Sequence, residues 1–210
     1  MRILLIAILA LAPSFSLAAG GGDGGGSGGG SGGGSGGGSG GNGGSGGNGG
    51  DGNSGKDDPP GVTENTTECG KGEVWDEKSD SCLESSSQLL NDDQRYGAVR
   101  ELAYAGRPAD AKLILDSMTE GKTARVMTYE GFLLRKMGHV EEGIAAYQEA
   151  LAIDPANILA RSYYGQLLVE MDEIQLAQLQ LDEIRAYGGT GTWSERSLAT
   201  AIETGVTYNF

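Results

Sequence analysis

Histidine and cysteine are nearly absent: the 210 residues hold one histidine, His139, and two cysteines, Cys69 and Cys82. A catalytic base set against a nucleophile needs a constellation that one histidine at a predicted turn does not supply. Two cysteines without a nearby histidine leave the tetrahedral zinc shell half filled. Long apolar runs are missing as well. The run from Ile3 to Ala12 falls short of the roughly 20 apolar residues that span a membrane, so no transmembrane segment is expected. Residues 20 to 55 contain no apolar side chain: 25 of these 36 residues are glycine and the others are Ser, Asn and Asp. Such a segment has nothing to bury and is expected to be a disordered linker, assigned to residues 20–68. A calcium-binding glycine-rich nonapeptide repeat needs a recurring apolar position, which GGNGGDGNSG does not provide. Positive charge is also scarce, with 15 Lys and Arg against 29 Asp and Glu. The net charge of -14 disfavours nucleic acid as a partner.

Met1-Arg2, the apolar run and Ser16-Leu17-Ala18-Ala19 follow the order of a secretory signal peptide, placed over residues 1–19. No cysteine follows the small residues, so a lipoprotein signal is not expected. Exported proteins meet an oxidising compartment, which makes a disulfide between Cys69 and Cys82 the default. That bond closes a small loop, residues 69–86, and is expected to contribute about 3 kcal/mol by restricting the unfolded chain. Val74-Trp75 and Leu83 are expected to form the arms of a hairpin turned at Asp76 to Asp80. The expected location is the bacterial periplasm, with secretion as the alternative.

From residue 87 to 210 the chain changes character. Leu133, Leu134 and Met137 recur at helical spacing, and Ile144, Tyr147, Ala150 and Leu151 do so again. Two successive apolar stripes imply two helices that face each other. Gly131 and Gly143 are placed at their closest approach, and Gly138 suits the helix C-cap between them. Pro155 ends the second helix and suits the first turn of the next. Gly131, Leu134, Gly138, Gly143, Tyr147, Ala150 and Pro155 stand at positions 8, 11, 15, 20, 24, 27 and 32 of a 34-residue unit, 124–157. This spacing resembles the tetratricopeptide repeat. The same register gives a second unit over 158–190, through Gly165, Leu168, Asp172, Ala177, Leu181 and Ile184. A third, over 92–123, runs through Leu102, Gly106, Ala111, Leu115 and Met118, with Val99 in place of the small residue and a shortened link at Glu120 to Thr123.

One such unit cannot bury its own apolar face, so a stack and a cap are expected. Thr192-Trp193-Ser194-Glu195 reads as a capping box opening a helix over 192–205, with Trp193, Leu198, Ala201 and Ile202 laid on the last repeat and Gly205 stopping it. The expected fold class is therefore all-α. The resemblance specifies an α-solenoid of about three helix pairs plus a C-terminal capping helix, seven helices over residues 88 to 205.

The resemblance implies binding of a protein or peptide and no enzymatic chemistry, with no catalytic residue, cofactor or metal assigned. It lines an inner groove with Tyr96, Arg100, Tyr104, Arg125, Thr128, Phe132, Arg135, Lys136, Leu159, Ser162, Gln166 and Val169. Their locally basic and aromatic character favours an acidic peptide. The family's carboxylate clamp of Lys, Asn, Asn, Lys and Arg is not reproduced, so that ligand class is not implied.

Other motifs fail on their chemistry. Glu120-Gly121-Lys122-Thr123 lacks the earlier P-loop glycine, for which Asp116 stands, and follows a predicted helix. Asp76-x-Lys78-x-Asp80 puts a cation where a calcium loop needs oxygen. Asn65-Thr66-Thr67 is a glycosylation sequon read here as solvated linker. Residues 69 to 82 resemble the Cys-x-x-Gly-x-x-aromatic-x(6)-Cys segment of peritrophin-type chitin-binding modules, which carry six cysteines. Cell-wall glycan binding by this loop is thus the alternative function. Val206-Thr207-Tyr208-Asn209-Phe210 resembles the final-strand signal of outer-membrane β-barrel proteins. A barrel needs at least eight strands, which leaves two readings: Tyr208 and Phe210 pack back on the capping helix, the expected one, or the tail stays exposed and adds a strand to a partner's sheet.

Overall fold

A computed structural model describes residues 57–208. The signal-peptide reading, the linker before residue 57 and the packing expected of Phe210 lie outside the described residues. The fold is mostly helical. A short helix, α1 (Glu64–Thr67), precedes an antiparallel hairpin of β1 (Glu73–Asp76) and β2 (Ser81–Glu84). Then come α2 (Asp92–Tyr104), α3 (Pro108–Asp116), α4 (Ala124–Lys136), α5 (Val140–Ile153), α6 (Ile158–Glu170), α7 (Ile174–Ala186) and α8 (Trp193–Thr204). No helix among the described residues is long and apolar enough to cross a membrane.

Two kinds of helix start alternate along the chain. α2, α4, α6 and α8 each begin after a side-chain cap, from Asn91, Thr123, Asn157 and Thr192. Asn91 and Gln94 form a reciprocal box, Asn91 Oδ1 accepting from the Gln94 N–H at 2.9 Å and Gln94 Oε1 from the Asn91 N–H at 3.0 Å. The box expected at Thr192 differs. Thr192 Oγ1 accepts from the Glu195 N–H, but Glu195 Oε2 takes the N–H of Gly191 rather than that of Thr192.

The helices α3, α5 and α7 have no side-chain cap and follow three-residue links. Each link contains one residue at positive φ: Gly106 at 74°, Gly138 at 86° and Asp172 at 63°. That turn lets the N–H of Arg107, His139 and Glu173 reach the carbonyls of Leu102, Leu134 and Leu168 at 2.8 to 2.9 Å, satisfying groups the helix end leaves open. Pro155 does not enter a helix. It sits in the link between α5 and α6, where its carbonyl accepts from Nε and Nη2 of Arg161.

α2 packs on α3, α4 on α5 and α6 on α7, while α2 touches α4, α4 touches α6, and α8 lies against α6 and α7. The crossing of α4 and α5 requires glycine. A Cβ on Gly131 would lie 2.7 Å from the Tyr147 ring, and one on Gly143 would lie 3.2 Å from the Gly131 carbonyl. In the next pair Gly165 makes room for Leu198 of α8 instead. Tyr129, Phe132, Leu133, Tyr147, Tyr163 and Leu167 are almost fully buried in the main core. Each such side chain contributes about 1.5–3 kcal/mol of apolar burial.

Cys69 and Cys82 are disulfide-bonded, and the hairpin turns where the sequence placed it, with Val74 opposite Leu83 and Trp75 opposite Cys82. The hairpin is nonetheless part of the folded body, because Val74 is 1% exposed and packs in the cluster that holds Ala98, Leu102 and Tyr129. Residues 57–68 correct the linker reading in the same way. Glu101 of α2, itself buried, accepts hydrogen bonds from the N–H and hydroxyl of both Thr63 and Thr66 at 2.5 to 3.2 Å. Asn65 donates to the same carboxylate and accepts from the Trp75 N–H at 2.9 Å, so the sequon asparagine is a structural joint. The reason is polar: hydrogen bonds, not apolar burial, dock this segment, and Val62 within it is 70% exposed.

Candidate functional site

The residues expected to line a groove stand on α2, α4 and α6, and the structure brings most of them to one shared face. That face is covered by the chain's own segments. Tyr104, Thr128, Phe132, Arg135, Ser162, Gln166 and Val169 are buried, whereas Tyr96, Arg100, Arg125, Lys136 and Leu159 are partly exposed. An open groove is therefore corrected to a filled one.

Aromatic packing fills its centre. The Tyr104 ring stacks 5.8 Å from Phe132, Phe132 lies 4.7 Å from Tyr163, and Tyr96 meets Tyr129 edge-on at 5.4 Å. Trp193 of α8 reaches Tyr104 and Tyr163 at 6.1 and 6.2 Å. Such contacts add about 0.5–1.5 kcal/mol per pair beyond area burial. The hydroxyls of Tyr104 and Tyr163 share a 2.5 Å hydrogen bond, and Tyr129 joins them at 3.4 Å. Burial pushes all three phenols above their ordinary range, so they stay protonated.

The cations meant to attract an acidic peptide are occupied internally. Arg125 makes a two-pronged pair with Glu120 and reaches Asp93, while its guanidinium lies 4.9 Å over the Tyr96 ring. Arg135 holds both oxygens of Glu170 at 2.8 and 2.6 Å and donates to the Tyr163 carbonyl. Arg100 donates to the Asp58 carbonyl at 2.7 Å and to the Tyr129 hydroxyl. Burial, and then the neighbouring Arg135, lower the Lys136 ammonium to about 8. Burial alone would raise the Glu170 carboxyl, but the bonds from Arg135 and Thr207 bring it below its ordinary value. Two of the four cations, Arg125 and Arg135, are thus already paired with carboxylates, while Arg100 and Lys136 are held by neutral oxygens.

Three segments cover the face. Asp57 and Asp58 cross from the N-terminal side and contact Ser194 and Arg100. α8 brings Ser197, whose hydroxyl bonds that of Ser162 at 2.9 Å. After α8, Thr207 donates to Glu170 Oε1 at 2.6 Å and the Tyr208 N–H to Gln166 Oε1 at 3.2 Å. Thr207 and Tyr208 therefore lie across α4 and α6 as well as against α8, where the Tyr208 ring is 5.8 Å from Trp193. Glu170 and Asp57 are the polar anchors that sequence reasoning missed. Glu170 falls 35 residues after Arg135, close to the 34-residue period read in the sequence, and that spacing is the signal that could have paired them.

Away from this face, a shallow cavity of about 620 Å³ lies between Ser86, Leu90, Asp92, Arg95, Ser117 and Thr119. Asp92 spans its edge, accepting from the N–H groups of Thr119 and Glu120, so the link after α3 is tied to the start of α2. Among the described residues no group of three or more His, Cys, Asp and Glu side chains could hold a metal ion. His139 stands exposed at the start of α5. Comparison with known protein families, with curated proteins and with solved structures finds no match.

Proposed function

We propose that residues 92–204 are three helix pairs of the tetratricopeptide type with a capping helix, and that the protein is an exported module binding a protein or peptide in the bacterial envelope, most readily the periplasm. The observation that carries this reading is the grip on Tyr208. Its N–H is taken by Gln166 of α6 and its carbonyl by Lys136 of α4, so side chains of two successive first helices hold one residue by its main chain. Main-chain contacts of this kind give affinity to a peptide without dictating its full sequence. The three similar closures at residues 106, 138 and 172, and the glycine crossing of α4 with α5, support the repeat assignment. The Cys69–Cys82 bond is compatible with an oxidising compartment. Because Arg125 and Arg135 are paired, the partner need not be acidic.

Site-specific photo-crosslinking in the native envelope tests the module. A crosslinking residue replacing Arg125 or Lys136, both partly exposed on the face, is expected to give a discrete adduct. The same residue replacing Gln148, exposed on α5, is expected to give none. Equal labelling from both positions, or none from either, contradicts the reading.

A further inference from the structure

The segment after α8 is held in a way that suits an exchangeable ligand. Thr207 is 5% exposed, whereas Val206 before it is 67% exposed and Tyr208 after it 38%. A single hydroxyl is therefore inserted, with Val206 left in solvent and the Tyr208 ring partly covered beside Trp193. The receiving groups are prearranged. Gln166 is 1% exposed and is braced by its own Nε2 on Ser162 at 3.4 Å. Glu170 is fixed by two bonds from Arg135, whose side chain is 2% exposed. Lys136 completes the grip by donating to the Tyr208 carbonyl at 3.3 Å.

We propose that Thr207–Tyr208 is a built-in occupant of a peptide-binding cleft between α4, α6 and α8, and that the cleft takes a partner peptide of the same chemistry, a hydroxyl residue followed by an aromatic one. The Glu170 carboxylate accepts the hydroxyl and repels an acidic residue there. Trp193 offers an aromatic neighbour to the next side chain. The inference rests on the peptide-binding reading above and adds both the ligand class and its regulation. An occupant tethered in cis acts at an effective concentration on the order of millimolar, so a free peptide must compete with it.

The test uses a fluorescein-labelled Gly-Val-Thr-Tyr-Asn-Phe peptide, the sequence of residues 205–210. Fluorescence polarisation is measured with the full mature chain, with a chain ending at Gly205, and with a full-length Thr207→Ala, Tyr208→Ala double variant. The truncated chain is expected to bind the peptide at least about tenfold more tightly than the full chain, as removal of a cis competitor requires. The double variant loses the Thr207 hydroxyl and Tyr208 ring but keeps the main-chain bonds, so it is expected to bind more tightly than the full chain by a smaller factor. Replacing the peptide's threonine by aspartate is expected to abolish the gain. If truncation unfolds the protein, the double variant carries the measurement. Equal binding by all three proteins, or no binding by a folded double variant, overturns the proposal. Face-specific crosslinks to an envelope partner together with no peptide binding overturn the built-in occupant alone and leave the module standing.

Discussion

The Asp57 carboxylate accepts a hydrogen bond of 2.8 Å from the backbone N–H of Ser194, 137 positions further along the chain. Ser194 lies in the first turn of α8, where backbone donors have no partner within the helix. A buried side chain that precedes α1 therefore caps α8, and the shared face of α2, α4 and α6 is bridged from one end of the described residues to the other. Asp57→Ala is expected to destabilise the fold by roughly 1.5–3 kcal/mol, the range for a charged hydrogen bond. Asp58→Ala serves as the control: Asp58 contributes only its carbonyl, to Arg100, and a change within about 0.5 kcal/mol is expected. Urea unfolding of the two variants checks the difference.

Two glycine substitutions should act in opposite directions. Gly131→Ala forces a Cβ to 2.7 Å from the Tyr147 ring in a packed core, with an expected cost of about 1–3 kcal/mol. Gly97 is helical and exposed, and a Cβ added there would meet nothing within 4 Å, so Gly97→Ala should stabilise by about 0.5–1 kcal/mol. Thermal midpoints of the two variants decide the matter. A similar loss in both would contradict the crossing of α4 and α5.

Asp172 occupies the left-handed position that glycine holds at 106 and 138. A left-handed residue costs about 1–2 kcal/mol, and less for Asp because its side chain bonds locally. Asp172→Gly is expected to raise stability by under about 1 kcal/mol, whereas Gly138→Ala lowers it by about 1–2 kcal/mol. Chemical unfolding of both variants reads the signs directly.

How much of this was legible follows from the kind of force involved. Apolar spacing and the residues at 106, 138 and 172 located the helices and turns, because burial and positive φ each leave a local mark. The Thr63 and Thr66 bonds to Glu101 leave none, because the partners lie 35 to 38 positions apart. Register puts Arg125 and Arg135 on one helix, yet it does not say that Glu120 and Glu170 pair with them. Val74 read as a hairpin arm, but its burial against α2 depends on the fold of residues far from it.

Docking of the hairpin changes what reduction should do. Opening Cys69–Cys82 frees a segment whose Val74 fills the core, so a loss of about 3 kcal/mol is expected together with weaker protection of α2. Circular dichroism melts with and without reductant test this. An unchanged midpoint would show that the loop is independent of the helices.

Acid should undo the Glu101 joint. Burial alone would raise this carboxyl, but the bonds from Thr63, Thr66 and Asn65 hold it below the ordinary value of 4.5. A depressed carboxylate contributes stability that is present above its unfolded pKa and is lost as pH falls through the folded one. Between about pH 5 and pH 3 the midpoint should fall more steeply in the native chain than in Glu101→Gln. Parallel slopes would contradict the assignment.

The central claim, that the shared face is covered by the chain's own segments at Asp57–Asp58 and Thr207–Tyr208, is tested most directly by residue-resolved amide hydrogen exchange on the full-length protein. The N–H groups of Ser194 and Tyr208 are predicted to exchange far more slowly than an open chain, and Asp57→Ala to accelerate Ser194 more than Tyr208. Exchange at Ser194 and Tyr208 at open-chain rates, in a protein whose α4 and α6 amides stay protected, would contradict it.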